Sequence, residues 1–117
     1  MTTERPQNPD DFLPLTSPVF HILLALADCD RHGYAILREI EDRTGGAVSL
    51  GTGTMYTALK RMLNAGLIEQ TDRLPNPNDH DERRTYYRVT KLGARVARAE
   101  TARMDALVGM ARTKQVY

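Results

Sequence analysis

GTGTMYTALKRMLNAG, residues 51–66, is the stretch that decides the fold. Its apolar side chains recur at steps of three and four residues, the spacing that places side chains on one face of a helix. These side chains are Met55, Ala58, Leu59, Met62 and Leu63. Thr52 or Thr54 is expected to cap the first turn, and Gly66 is expected to end the helix in a left-handed conformation. The stretch therefore predicts an amphipathic helix with its own start and stop signals.

The opposite face of this helix carries hydroxyl, amide, ammonium and guanidinium groups, and residues 51–66 contain no carboxylate. Such groups donate hydrogen bonds to phosphates and to base edges in the major groove of DNA. The backbone N–H groups at a helix start can also approach a phosphate. Spacing alone fits an ordinary amphipathic surface helix equally well, so the neighbouring segments have to decide. The side chains of this face are Thr54, Thr57, Lys60, Arg61 and Asn64.

A first helix is predicted after Ser17-Pro18, a helix start signal. The following VFHILLALAD is apolar on nearly all sides, so this helix should lie centrally in the core or be shared with a partner chain. His21 has no companions at metal-ligand spacing, and we expect it to line the core or a pocket. No metal or cofactor site is predicted.

A second helix is predicted over GYAILREIEDRTGG, where Gly45-Gly46 ends it. The short AVSL segment connects it to the helix of residues 51–66. The lengths and the connection are those of a helix-turn-helix pair, in which the later helix reads DNA. The predicted inner face of the second helix is Tyr34, Leu37, Ile40 and Thr44, supported by Ile36.

A β-hairpin is predicted after Gly66, because LIEQTDRL and RRTYYRVT have strand character and enclose the polar loop PNPNDHDE. A hairpin in this position would form a wing, with Arg83 and Arg84 gripping the DNA backbone. The acidic residues of the loop would repel phosphates, so we expect the loop tip to point away from DNA. The alternative is a solvated hairpin whose arginines pair with its own acids.

One long final helix, capped by Thr90, is predicted over KLGARVARAETARMDALVGMARTKQVY. Its apolar stripe has no obvious partner in so short a chain, so we expect a second copy to cover it in a homodimer. The alternative is a monomer in which this helix folds back over the first one. The predicted dimerisation residues are Val96, Ala99, Met104, Leu107 and Ala111.

The totals fit one small domain: 117 residues with a formal net charge of +1. Positive charge is concentrated in residues 51–66, with two bases and no acid, and in residues 91–117, with six bases and two acids. Cys29 is the only cysteine, which favours a reducing cytoplasm and excludes an intrachain disulfide. No signal-peptide pattern and no apolar run of about 18 residues is present, so a cytoplasmic protein is expected. Residues 1–14 are polar and proline-containing, which predicts a flexible arm, with Phe12 and Leu13 attaching its end to the body.

Three separated segments resemble the PadR family of bacterial and archaeal transcription regulators: HGYAI at 32–36, GTGTMYTALKRMLNAGLI at 51–68 and RRTYYRVTKLG at 83–93. The resemblance covers residues 15–95. It implies a mainly α fold with a small β-hairpin wing, in which a winged helix-turn-helix domain spans 15–90 and a C-terminal dimerisation helix spans 91–117. It also implies a homodimer that binds a pseudo-palindromic operator in double-stranded DNA, usually as a repressor.

The residues and the resemblance together assign a set of DNA-contacting positions. Thr52 stands where proline is common in the family, and Thr57 stands where proline or another small residue is frequent; we expect these departures to change DNA preference more than fold. The predicted DNA-binding residues are Ser49, Thr52, Thr54, Tyr56, Thr57, Lys60, Arg61, Arg83 and Arg84.

The resemblance further implies a site for a small aromatic or lipophilic effector between the two protomers. The same residues would also form a dry dimer core, which is the interpretation we favour. The predicted residues of this site are Phe20, His21, Leu24, Met104 and Val108.

A protein-binding adaptor and an enzyme are the two alternatives to a DNA-binding regulator. A winged-helix adaptor that binds proteins rather than DNA is favoured by the near-neutral net charge and the acidic wing loop, and disfavoured by the carboxylate-free face of residues 51–66. An enzyme is disfavoured because the sequence has neither a nucleophile motif nor a glycine-rich phosphate loop.

Overall fold

The protein folds as four α-helices and a small three-stranded antiparallel sheet, in a computed structural model that describes residues 7–71 and 85–116. The predicted mainly helical architecture with a small hairpin is confirmed. None of the helices in the described ranges is long and apolar enough to cross a membrane. The elements are α1 (Ser17–Leu26), β1 (Arg31–His32), α2 (Gly33–Arg43), α3 (Thr52–Asn64), β2 (Ile68–Thr71), β3 (Tyr86–Val89) and α4 (Lys91–Thr113).

Helix α1 lies at the centre of the core, as its nearly continuous apolar sequence predicts. It packs against α2, α3 and α4, and Ile22 and Ala25 are fully buried. Each surrounding helix turns one apolar face toward α1, so the core forms around a single element. The buried core residues outside α1 include Ile36, Ile40, Met55, Leu59, Met62, Ile68 and Val96.

The sheet has the strand order β1-β3-β2. Strands β2 and β3 form the predicted hairpin, in which Ile68 pairs with Val89 and Thr71 pairs with Tyr86. Strand β1 was not predicted, because two residues are too few to show a periodic pattern. Its pairing with β3 ties the start of α2 to the base of the wing.

Several helix ends differ by a few residues from the predicted ones. The N-cap of α3 is Gly51, without a side-chain hydrogen bond, so the prediction that Thr52 or Thr54 caps this helix was wrong: both lie within its first turn. Gly66 has the predicted left-handed backbone, with φ of 78°. Thr90 caps α4 as predicted, because its hydroxyl oxygen accepts a 3.0 Å hydrogen bond from the N–H of Gly93.

The N-terminal segment is packed where the structure describes it. Residues Pro9–Phe12 form a short 3-10 helix that contacts α4, and Phe12, Leu13 and Leu15 pack against the core. This agrees with the expectation that Phe12 and Leu13 attach the end of the arm to the body, and the packed part extends back to Pro9. The reason is that its apolar side chains cover a stretch of α4 that would otherwise be exposed. Residues 1–6 lie outside the described ranges.

A buried carboxylate fastens this segment to α4. Glu100 is only 2% exposed, and its Oε2 accepts a 2.8 Å hydrogen bond from the N–H of Leu15. The Arg103 side chain donates to Oε1 of the same carboxylate. The hydrogen bond from Arg103 holds the pKa of Glu100 below its ordinary value; burial opposes this shift and the Leu15 N–H adds to it. The segment before α1 is thereby held on α4.

The structure corrects the predicted positions of two side chains, Tyr34 and Val96. Tyr34 was placed on the inner face of α2, but its side chain is 59% exposed. The inner face instead centres on Gly33, Ile36 and Ile40, because a residue next in sequence to a buried glycine points about 100° away around the helix. Val96 was predicted to contact a second copy, but it is fully buried in the core of its own chain.

Candidate nucleic-acid interface

The rotation of α3 about its axis is set by its buried face. Met55 and Leu59 pack into the core, and their spacing turns Thr57, Lys60 and Arg61 toward solvent. The predicted division of this helix into an apolar and a polar face is therefore confirmed. Of the predicted DNA-contacting residues, those that the structure shows exposed are Ser49, Thr52, Thr54, Tyr56, Thr57, Lys60 and Arg61.

The cations of α3 are not neutralised by the surrounding protein. In residues 7–71 and 85–116, Lys60 and Arg61 have no ion-pair partner, whereas Arg43 pairs with Glu39 at 3.0 Å. The first turn of α3 contains no acidic residue. The surface of α3 therefore presents positive charge that an external anion can approach.

The start of α3 adds backbone donors to this surface. The first hydrogen bond within the helix joins the N–H of Met55 to the carbonyl of Gly51 at 2.9 Å. The N–H groups before Met55 thus have no acceptor inside the helix, and no side chain caps them. The positive end of the helix dipole lies at the same place, so the first turn favours an anion.

The link between α2 and α3 is fixed by one threonine. The Thr44 hydroxyl donates to the carbonyl of Ile40 at 2.8 Å and accepts from the N–H of Val48 at 3.0 Å. Gly45 and Gly46 adopt left-handed conformations beside it. This arrangement closes the turn that ends α2. Thr44 was predicted on the inner face of α2, but its role in the turn was not predicted.

Tyr56 connects α3 to the start of α2. The ring is 50% exposed, and its hydroxyl lies 2.7 Å from the position that a Cβ at Gly33 would occupy. The absence of a side chain at Gly33 leaves room for the Tyr56 ring to lie against the start of α2. Tyr56 also lies near Tyr87 of β3. The pKa of Tyr87 is raised, first by burial and then by Tyr56, while a hydrogen bond with the Gln70 side chain opposes the shift.

The structure describes the base of the wing. Arg88 of β3 lies 3.3 Å from a carboxylate oxygen of Glu69 on β2, so this arginine is engaged within the hairpin. The predicted backbone-gripping residues Arg83 and Arg84 lie outside the described residues.

The comparisons with known proteins agree with this architecture. The model of the transcriptional regulator PadR-like family matches residues 22–99, which include α2, α3, the described strands and the first part of α4. The chain belongs to this family. A crystal structure of a PadR family transcription regulator from Clostridium difficile is 26% identical in sequence, with a TM-score of 0.72 over 86% of this chain and 99% of that one.

Two other comparisons cover less of this chain. The crystal structure of Bacillus subtilis PadR in complex with operator DNA is 20% identical, with a TM-score of 0.61 over 74% of this chain and 46% of that one, which shows a shared fold. An uncharacterised protein of Lysinibacillus sphaericus is 33% identical over 72 residues, which are 62% of this chain. The match spans 63% of the length of that relative.

The predicted effector residues lie on α1 and α4, which pack against each other. Val108 is exposed, whereas the other four are partly buried. His21 lies with its Nδ1 3.4 Å from the Arg43 guanidinium, and burial, followed by the charge of Arg43, lowers its pKa. A shallow groove of about 670 Å³ runs along the outer face of α2. None of the five predicted effector residues lines this groove.

Proposed function

We propose that this protein is a homodimeric, sequence-specific DNA-binding transcription regulator that acts as a repressor. The observation that carries the proposal is the exposed face of α3, which combines hydroxyls with two cations that have no ion-pair partner among the described residues, and which contains no carboxylate. In this proposal Thr54, Thr57, Lys60 and Arg61 enter the major groove. The first turn of α3 and Tyr56 hold phosphates, and Arg83 and Arg84 grip the backbone from the wing.

The family supports this assignment. Its members are described as transcriptional regulators, and the B. subtilis relative was solved with operator DNA. A regulator that binds as a symmetric dimer should recognise a pseudo-palindrome whose half-sites lie about 10 base pairs, or a multiple of that, apart.

We place the dimer contact in the second half of α4. The first half of this helix packs into its own chain through Gly93, Val96 and Glu100. Beyond it, Leu107 is 49% exposed and Met110 is 61% exposed, so a second copy would bury apolar area that one chain leaves in water. Residues 15–90 would then form the DNA-binding domain, and residues 91–117 would form the dimerisation helix. Ala99, Met104 and Ala111 remain proposed contacts, whereas Val96 is not.

We also place Phe20, His21, Leu24, Met104 and Val108 beside this contact. We propose that they form a dry apolar seam between the protomers, with a small aromatic or lipophilic effector as the alternative occupant. Titration with such compounds, followed by the quenching of tyrosine fluorescence, distinguishes the two: a dry seam gives no saturable change.

The experiment that tests the proposed function begins with selection of duplexes from a random library by the purified protein. Affinity for the selected duplex and for random DNA is then measured across a salt series. The proposal predicts a preference of at least 10³-fold for the selected sequence and a steep loss of affinity with salt. Failure to enrich any sequence would contradict it.

A further inference from the structure

The first turns of α2 carry an exposed aromatic ring and an arginine, Tyr34 and Arg38. Neither residue is among the DNA contacts proposed above. Tyr34 is 59% exposed, and the guanidinium carbon of Arg38 lies 5.9 Å from the centre of the Tyr34 ring. The two residues are four positions apart, so they lie on the same side of α2. The buried face of α2 leaves both side chains on the solvent side, where an external group can reach the ring and the guanidinium together.

This pair lies next to the proposed DNA surface. Tyr34 follows Gly33 directly, and the Tyr56 hydroxyl of α3 sits 2.7 Å from where a Gly33 Cβ would be. Gly33 and Tyr34 both belong to the first turn of α2, so this turn adjoins Tyr56 of α3.

The charge around the pair favours an anion. Arg31 pairs with Asp28 and Arg43 pairs with Glu39, but Arg38 has no carboxylate partner in residues 7–71 and 85–116. The first turn of α2 carries no acidic residue, and the positive end of its dipole lies there. The groove along this face does include Glu39 and Asp42, but both follow Arg38 in sequence, toward the C-terminal end of α2.

The chemistry of the pair suits a phosphate. An arginine at cation–π distance from an aromatic ring keeps its N–H groups available to donate, and this contact reduces the number of rotamers that the arginine must give up on binding. The phenolic hydroxyl of Tyr34 supplies another donor beside it. Phosphates along DNA accept this combination without regard to base sequence.

We infer that Tyr34 and Arg38 bind a backbone phosphate of DNA that flanks the bases read by α3. This inference rests on the proposed function, because it assigns a second contact to the same DNA. The contact is independent of sequence: it raises affinity for all duplexes and positions α3 in the groove.

The test measures binding of the full chain to the selected duplex and to a random duplex across a salt series. Arg38→Gln removes the cation, Tyr34→Phe removes only the hydroxyl, and Lys114→Gln is the control that removes one positive charge from the end of α4. For Arg38→Gln we expect about 10-fold weaker binding to both duplexes, with an unchanged ratio between them. The slope of log affinity against log salt should fall by about 0.9 for each protomer. Tyr34→Phe should weaken both affinities about 3-fold, since a neutral donor contributes less.

The outcomes separate the inference from the proposed function. Suppose that the wild-type protein binds DNA and that Arg38→Gln binds with the same affinity and the same salt slope. This result would overturn the phosphate contact and leave the function of α3 standing. A loss confined to the selected duplex would also overturn it, because that result indicates base reading. An equal loss in Lys114→Gln would attribute the effect to net charge and overturn it as well. Absence of DNA binding in the wild-type protein would overturn both proposals. Because both side chains are exposed, thermal unfolding of each variant should match that of the wild type.

Discussion

Replacing Glu100 with glutamine should destabilise the protein at neutral pH. The carboxylate is almost completely buried and accepts hydrogen bonds from the N–H of Leu15 and from Arg103. Hydrogen bonds to a charged group contribute about 1.5–3 kcal/mol each, against about 0.5–1.5 kcal/mol for neutral ones. The Arg103 side chain is 36% exposed, so its share is reduced by water. We therefore expect Glu100→Gln to lower the free energy of unfolding by about 1–2 kcal/mol.

The cost should depend on pH in a defined direction. The pKa of Glu100 is lowered in the folded protein, so its charge stabilises the fold above the ordinary carboxyl pKa. This stabilisation is lost as the pH falls through the lowered value. Thermal unfolding followed by circular dichroism at pH 7 should show a clear gap between wild type and Glu100→Gln, at about 4–8 °C per kcal/mol. The gap should narrow as the pH falls through the lowered pKa of Glu100.

A matched control and a local measurement complete this test. Asp105→Asn removes a carboxylate from an exposed position of the same helix, and we expect it to leave the unfolding temperature within about 2 °C of the wild type. Hydrogen exchange of the Leu15 amide should accelerate in Glu100→Gln, because that N–H loses its charged acceptor. Protein concentration is held constant, since dimerisation would itself raise stability. A gap of constant size over the whole acid range in which the wild type stays folded, or an unchanged Leu15 exchange rate, would refute the role assigned to Glu100.

Two further predictions concern α4. Gly93→Ala should cost more than about 3 kcal/mol, because a Cβ there would lie 2.0 Å from the carbonyl oxygen of Leu67. A Cβ at Gly109 in the same helix would have no atom within 4 Å, so Gly109→Ala should raise the free energy of unfolding by about 0.5–1 kcal/mol. Chemical denaturation of the two variants measures both effects. Equal effects would contradict the packing described for Gly93. Leu107→Glu should weaken the proposed dimer by about 100-fold or more, since both copies lose apolar burial. Light scattering during gel filtration should then report a monomer at micromolar concentration, while Ala102→Glu, on the other side of α4, stays dimeric; a dimeric Leu107→Glu would contradict the proposed contact.

The sequence predicted the helices because their buried faces repeat regularly. In α3 the buried residues Met55 and Leu59 fall where the apolar spacing placed them, and Gly66 and Thr90 act as the expected end and cap. These features depend on residues close together in the chain. Local pattern was sufficient to find them.

The features that sequence analysis missed depend on contacts between distant residues. Glu100 reads as one more charged residue on a helix until the N–H of Leu15, 85 positions away, is placed against it. Val96 fits a dimer stripe as well as it fits a core, because periodicity shows which residues share a face but not what covers that face. Tyr34 was predicted to face inward because it lies three residues before Leu37 in the apolar pattern, whereas the buried side centres on Gly33, Ile36 and Ile40.

The residue types of the candidate site could be predicted from the sequence, but the contacts between its helices could not. The exposed hydroxyls and cations of α3 could be read from residue types and spacing. The close approach of Tyr56 to Gly33 could not, since it depends on how α2 and α3 cross. Sequence also could not show that Arg38 has no carboxylate partner among the described residues, whereas Arg31 and Arg43 each pair with an acid.

The most direct test of the central claim is the affinity of Lys60→Ala/Arg61→Ala for the selected duplex. Both side chains are exposed, so the variant should unfold like the wild type. Arg98→Ala/Lys114→Ala removes the same net charge from α4 and serves as control. If α3 reads DNA, the first variant should lose at least 100-fold in affinity and most of its preference over random DNA, while the control keeps that preference. A folded Lys60→Ala/Arg61→Ala variant that retains wild-type affinity and preference would contradict the assignment of α3 as the reading helix.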